Sequence, residues 1–567
     1  MLSITKRWLI PESIPLDVDQ GLIEFHPVLR RILYNRGYHT AEQARIFLAA
    51  QSPPGSEPLN MLGIGAASER IQAAIRHDEQ IAIYGDYDAD GVTATALLVQ
   101  FLRKLGADVR GYIPNRFDEG YGLNNEALSL LKDEGVSLII TVDCGVRSLA
   151  EAEHARKIGL DMIITDHHHP TEQLPHAVAL INPKQPDDRY PDKNLAGVGL
   201  AYKLACGLIE TNKLLAQKPS PESEYLDLVA LGTITDLAPL IGENRSLVRT
   251  GLQYIRRPQR QGIQALMGAA GLRPANITAG DISFILGPRL NAAGRLESAL
   301  AAFNLLMAQD VSAAAMLAQK LEIQNRERQE ITRQLQIEAE QIALRTESEP
   351  LLLFAVHPDF NPGVVGLVAS RLTEQYYRPS IVGHYGPEFT RASCRSISEF
   401  HITSALDECA DLLEHHGGHA AAAGFTVRNS NLPILLERLR QIAARELSRQ
   451  DLRPTLVADM EIPLSDLKPE LLKYLEWLQP TGMDNRQPLF ISRGLKVVSA
   501  RGVGKDNAHL KLAVTDGRIT YDAIGFRFGS WLNHLPQFID LIYHFESNEY
   551  NGQIKLQLNV RDLKPSG

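Results

Sequence analysis

From residue 81 the chain alternates short apolar runs with longer mixed stretches. IAIYG (81–85), DVRGYIP (108–114), SLIITVDCG (137–145) and DMIITDHHH (161–169) are the apolar runs, and each reads as a buried strand. VTATALLVQFLRKLG (92–106), which stops at a glycine, reads as a helix, as do stretches near 123–134 and 148–158. Strands alternating with helices predict an α/β fold with a doubly wound parallel sheet. Such a sheet places its ligand sites at the carboxyl ends of its strands.

The flanking regions carry other periods. HPVLRRILYNRGYHTAEQARIFL (26–48) has helical spacing, and QSPPGSEP (51–58) reads as a linker. Helical stretches cover about 197–240. The segment 311–346 has neither glycine nor proline and reads as one long connecting helix. A second α/β segment opens at LLLFAVHPDF, and from about 455 short strands and turns predict a small β-barrel or sandwich. The expected division is a helical cap (1–55), a first α/β domain (56–310), the connecting helix (311–346), a second α/β domain (347–450) and a C-terminal barrel (451–567).

Composition narrows this little. The chain has 567 residues, 44% hydrophobic and 22% charged, ordinary for a globular protein of several domains. No run of roughly 18 apolar residues is present, so no transmembrane helix is expected. MLSITKRWLIPESIP lacks the apolar core of a signal peptide, and the expected compartment is the cytoplasm. Cys144, Cys206, Cys394 and Cys409 form no CxxC pair and read as reduced, buried thiols. The formal net charge of −9 does not by itself point to nucleic acid, because phosphate neutralisation needs Lys and Arg.

The chemistry lies in the polar clusters that end the strands. GDYDADG (85–91) places Asp86, Asp88 and Asp90 within five residues. Carboxylates this close repel unless a cation binds them, and hard divalent ions prefer oxygen donors. An EF-hand loop starting at Asp86 would need Glu at its twelfth position, where Leu97 stands. Asp143 ends the next run, Asp166, His167, His168 and His169 follow a third, and Asp236 lies in TITDLAPL. Each alone also reads as an acidic turn, a helix cap or a polar loop. Together they can converge on two metals about 3.5–4 Å apart, a standard arrangement for phosphoester hydrolysis.

GDYDADG, VDCG, TDHH and TDLAPL, in this order, resemble the four motifs of the DHH phosphoesterase superfamily. GGHAAAAGF (417–425) resembles the DHHA1 signature, while PRLNAAGR (288–295) and SCRS (393–396) resemble segments of that branch's bacterial exonucleases. The resemblance implies a DHH domain, a DHHA1 domain and an OB-like barrel. It implies two Mn²⁺ or Mg²⁺ ions held by Asp88, Asp90, Asp143, His167 and Asp236, with Asp143 bridging and His168 touching the reacting phosphate. Asp86 is near that site. Tyr84 stands where some members carry a further His ligand, and PTGMDNRQPLF (480–490) departs from the family pattern. Ser393 and Arg395 match a pocket for a 5′-terminal phosphate, and Arg289, Asn291, Arg295 and His419 match substrate-facing positions. Tyr521, Phe526, Phe528 and Trp531 are either base-stacking residues or barrel core.

The implied activity is 5′→3′ exonucleolytic hydrolysis of single-stranded DNA to 5′-mononucleotides, in recombination and repair. The implied partners are single-stranded DNA, a single-strand-binding protein and a helicase. A phosphodiesterase for short oligonucleotides or cyclic dinucleotides, an inorganic pyrophosphatase and a non-catalytic DNA-binding module are the alternatives. The N-terminal region and the barrel argue against the first, GGHAAAAGF and the barrel against the second, and the intact ligand set against the third.

Overall fold

The computed structural model describes residues 5–115, 122–212, 221–345, 349–550 and 553–567. The chain forms two units, one of Leu16–Asn325 with Lys473–Gln487, the other of Met1–Pro15, Arg326–Leu472 and Pro488–Gly567.

The first unit is built on a five-stranded parallel sheet. Its order is Val109–Tyr112, Gln80–Gly85, Val136–Val142, Asp161–Thr165 and Ala179–Ile181. In chain sequence this is 2-1-3-4-5, a doubly wound order whose direction reverses between the first and third strands. The expected strands are all present, and Ala179–Ile181 is a short fifth that the patterning did not announce. Alternate residues face opposite ways. Ile81, Ile83, Leu138 and Ile140 enter one apolar core, while Ala82, Tyr84, Ile139 and Ile164 enter another. Covered on both faces, the strands read as continuous apolar runs.

The helices follow local signals. Asp88 caps Ala89–Lys104 by accepting from the N–H groups of Asp90 and Gly91, and Asn124 caps Asn125–Asp133 in the same way, accepting from the N–H of Ala127. The helical region about 197–240 resolves into Gly197–Thr211 and Pro221–Thr235, while 213–220 fall outside the described residues. Val311–Ala343 is the long helix, and residue 346 of its expected span also falls outside them.

In the second unit a mixed sheet runs in the order Leu413–His419, Ala422–Arg428, Phe389–Arg395, Ser380–Tyr385 and Leu353–His357. Only its last pair is parallel. The barrel has five strands, Phe490–Val503, His509–Thr515, Thr520–Gly525, Gln553–Pro565 and Phe538–Tyr550, and pairing of the first with the last closes it. Tyr521 is a core residue of this barrel and Phe526 is exposed.

Two segments depart from the expected division. The helices Leu16–Gly21, Pro27–Asn35 and Ala41–Ala49 fit a helical cap, but Arg7–Leu9 is a strand paired in parallel with Thr455–Val457. Three residues carry no readable period, and their partner lies far along the chain. The second segment, Lys473–Gln487, belongs with the first unit and not with the barrel. Fully buried Arg245 donates to the carbonyls of Trp477, Leu478 and Pro480, and buried Asn485 donates to those of Leu478 and Pro480. Asn485 thus ties down the stretch where the sequence leaves the family pattern.

Candidate metal and phosphate sites

The four motifs meet at the carboxyl ends of the central strands, where the strand order reverses. Asp86, Asp88 and Asp90 follow Gln80–Gly85, and Asp143 follows Val136–Val142. His167 and His168 follow Asp161–Thr165, and Asp236 follows the helix Pro221–Thr235. Three overlapping trios result: Asp86, Asp88 and Asp143; Asp143, His167 and His168; Asp90, His167 and Asp236. Within each trio the ligand atoms lie within 4.8 Å of one another. Asp143 and His167 are shared, so the cluster has two poles with common donors between them.

Backbone geometry builds this cluster. Asp143 has φ of +63°, a left-handed conformation unusual outside glycine and asparagine. Gly197 opens the helix Gly197–Thr211, and a Cβ there would stand 2.7 Å from Asp143 Cβ. Only glycine lets that helix end approach so closely. Its first amides, Gly197 and Val198, donate to the two oxygens of Asp90 at 2.7 and 2.8 Å.

Charge is crowded here. Burial, and then the charge of Asp88, pushes the Asp90 carboxyl up to about 7. Burial with Asp90 and Asp88 pushes Asp236 up to about 9. Asp143 is raised well above the ordinary carboxylate range, by burial first and then by Asp90, Asp88, Asp86 and Asp236. Burial and neighbouring His168 lower His167 to about 3, which leaves a neutral imidazole. Burial works against a charge on His168, but its hydrogen bond with Asp166 more than offsets this and raises it.

Asp143 Oδ1 and His167 Nε2 are buried and 3.0 Å apart, yet neither has a hydrogen-bond partner of acceptable geometry among the described residues. Two buried acceptors aimed at the same space, ringed by carboxylates, are a donor set for hard divalent cations.

Family models match three stretches of the chain: the DHH family N-terminal domain at 80–233, the DHHA1 domain at 349–445 and the RecJ OB domain at 458–562. The single-stranded-DNA-specific exonuclease RecJ of Bacillus subtilis is 38% identical over 572 residues, covering 100% of this chain and 72% of that protein. The Escherichia coli exonuclease of the same name is 34% identical, with 96% of each chain covered. The chain belongs to the RecJ family.

RecJ of Thermus thermophilus, solved in complex with Mn²⁺, superposes with a TM-score of 0.84 at 30% identity, covering 99% of this chain and 80% of that one. The Mg²⁺ complex of the same protein gives 0.79 at 29% identity, covering 99% of this chain and 79% of that one. The RecJ family is one of metal-dependent exonucleases, and the donor set here fits Mn²⁺ or Mg²⁺.

Within this RecJ chain, Tyr84 is no substitute for a ligating histidine. It is fully buried, and its hydroxyl donates to the Gly122 carbonyl at 3.1 Å. Asp86, whose role the sequence left open, stands in a trio with Asp88 and Asp143. Asn182 and Lys184 are residues of the site that the motifs do not include. Asn182 Nδ2 donates to the His168 carbonyl at 2.8 Å, and Lys184 Nζ donates to that of His167. These two side chains clamp the backbone of the histidine pair from the NPK turn after the fifth strand. In the sequence, NPK signals only a turn.

In the second unit Ser393 and Arg395 are two residues apart on one strand and share a face. Arg395 is half-buried and donates to the Cys394 carbonyl at 2.8 Å, and it makes no ion pair among the described residues. Burial lowers its pKa. A Cβ on Gly366, in the first turn of the helix Val365–Tyr376, would lie 3.4 Å from both Arg395 Nη2 and Ser393 Oγ. A half-buried guanidinium beside a hydroxyl and a helix N-terminus is a cradle for an anion. His419 is exposed on the edge strand, in register with Ala422, which is in register with Arg395.

The PRLNAAGR segment makes several internal contacts. Arg289 is held internally, 2.7 Å from Glu322 and from the Ile285 carbonyl. Asn291 Oδ1 accepts from Ala89 N–H at 2.7 Å and so supports the first motif. Arg295, half-buried near the end of the same helix, is also partnered.

Proposed function

We propose that the chain is an exonuclease that hydrolyses single-stranded DNA from its 5′ end and releases 5′-mononucleotides. The observation that carries this reading is the run of three overlapping donor sets linked through Asp143 and His167. Asp88, Asp90, Asp143, His167 and Asp236 hold two divalent cations, and Asp86 adds a donor beside Asp88. When bound, two such ions stabilise charge on the phosphoryl oxygens and acidify an attacking water.

The remaining steps belong to side chains. With Nδ1 on Asp166, His168 presents Nε2 to a phosphoryl oxygen. Ser393 and Arg395 take the 5′-terminal phosphate and set the register. His419, Arg295 and exposed Phe526 meet the strand farther along, while Arg289 holds its own segment and Asn291 supports the first motif. In this reading residues 56–310 hydrolyse, 347–450 read the 5′ end and 451–567 track the strand. The work is recombination and repair in the cytoplasm, where a single-strand-binding protein and a helicase are the partners such an enzyme needs.

Digestion of an end-labelled strand with Mn²⁺ tests the reading. Early mononucleotide release from the 5′ label, with the 3′ label retained and a duplex spared, is the expected result. Rapid cleavage of a dinucleotide alone would replace it with a small-substrate phosphodiesterase.

A further inference from the structure

Phe284 is 81% exposed, more than any other large apolar side chain among the described residues. A single exposed phenyl ring is ordinary on a protein surface. Its setting is not. Phe284 lies in the π-helix Ile282–Leu286, between Ile282 and Leu286, both buried. A π-turn is rare and, set within a run of helix, is found frequently at functional sites.

The segment that carries it is seated against the metal-ligand motifs at two points. Gly287 follows the π-helix directly, and a Cβ there would stand 2.4 Å from Thr235 Cγ2, the neighbour of Asp236. Farther along, Asn291 accepts from Ala89 N–H, and a Cβ on Gly294 would stand 2.8 Å from the Tyr87 carbonyl. Phe284 is therefore three residues from the contact with the fourth motif, on an element that also touches the first. An aromatic ring held in water at such a place matches the face of a nucleobase, which stacks on it whatever the base.

We propose that Phe284 is a stacking platform for a base of the strand being hydrolysed. The inference rests on the single-strand reading and adds a residue to it. Its side chain touches the substrate but not the reacting atoms.

The test uses the full chain in EDTA, with a 5′-phosphorylated single strand in which an abasic site is moved through the first several positions. In wild type, one position loses about tenfold in affinity when its base is removed. Phe284→Ala binds the intact strand about tenfold more weakly and is indifferent to the abasic site at that position. Phe284→Trp keeps the wild-type pattern, and Phe284→Leu behaves like Phe284→Ala. Melting curves matching wild type confirm that these surface variants fold. If Phe284→Ala binds the intact strand as wild type does, or its loss adds independently to that of every abasic site, the stacking role is overturned. A wild type that binds no single strand overturns the single-strand reading as well.

Discussion

Asp166 holds His168 twice, since its Oδ1 lies 2.7 Å from the ring Nδ1 and accepts the main-chain N–H of the same residue at 3.0 Å. The other oxygen, Oδ2, accepts from Val146 N–H at 2.9 Å, which fixes the carboxylate in turn. One ring orientation and one assignment of ring nitrogens follow.

Asp166→Asn should therefore act through the histidine. The expected result is a 10- to 100-fold lower kcat with little change in KM, measured by steady-state nucleotide release. An unchanged kcat would mean that His168 needs no such support.

In the metal-free protein, the raised carboxyls make stability fall with increasing pH. The fold holds protons on Asp90 up to about 7 and on Asp236 up to about 9, whereas the unfolded chain releases them near the ordinary value of about 4. The folded state thus binds more protons across this window, and stability drops as pH rises through it. Melting temperatures in EDTA should fall between pH 5 and 9, and Mn²⁺ should reverse the trend because it binds the deprotonated ligands. A flat EDTA profile would count against buried, crowded carboxyls.

Asp143→Asn removes one of these crowded carboxyls at a site of positive φ, which asparagine tolerates. The metal-free variant should melt several degrees higher at pH 8, while Mn²⁺ affinity falls at least 100-fold by titration calorimetry. Lower stability without metal would show that the charge was not the strained element.

Gly197→Ala places a methyl group against Asp143 and displaces the helix end that binds Asp90. Mn²⁺ affinity should fall at least tenfold, by the same titration. Wild-type affinity would show that the helix end can shift without cost.

Arg395→Ala should separate substrates by their 5′ ends. KM for a 5′-phosphorylated strand should rise 10- to 100-fold, while a 5′-hydroxyl strand changes little. Equal losses on both would remove the terminal-phosphate assignment.

Legibility followed the length scale of each signal. The parallel sheet was readable because both its faces are buried and four of its strands are continuous apolar runs. Ala179–Ile181 has too few residues to stand out. The side chains that gather at the strand ends were readable because each motif is a short run of neighbouring residues. The Asn182 and Lys184 clamp is not, since its partners are main-chain carbonyls, which leave no trace in residue identity. The pairing of Arg289 with Glu322 was equally hidden, because an arginine in a motif looks the same whether it faces substrate or a buried carboxylate.

The strand Arg7–Leu9 bears on the order in which the chain acquires structure. Trp8 Nε1 donates to Asp562 Oδ2 at 2.8 Å across 554 residues, and Lys564 stands 4.5 Å over the indole ring. Synthesis runs from the N-terminus, so Trp8 is made 554 residues before Asp562. The second unit therefore cannot complete until Asp562 has been made, and the strand Arg7–Leu9 waits unpaired until Thr455–Val457 follow it. Loop closure over such a distance makes this pairing a late event in refolding as well.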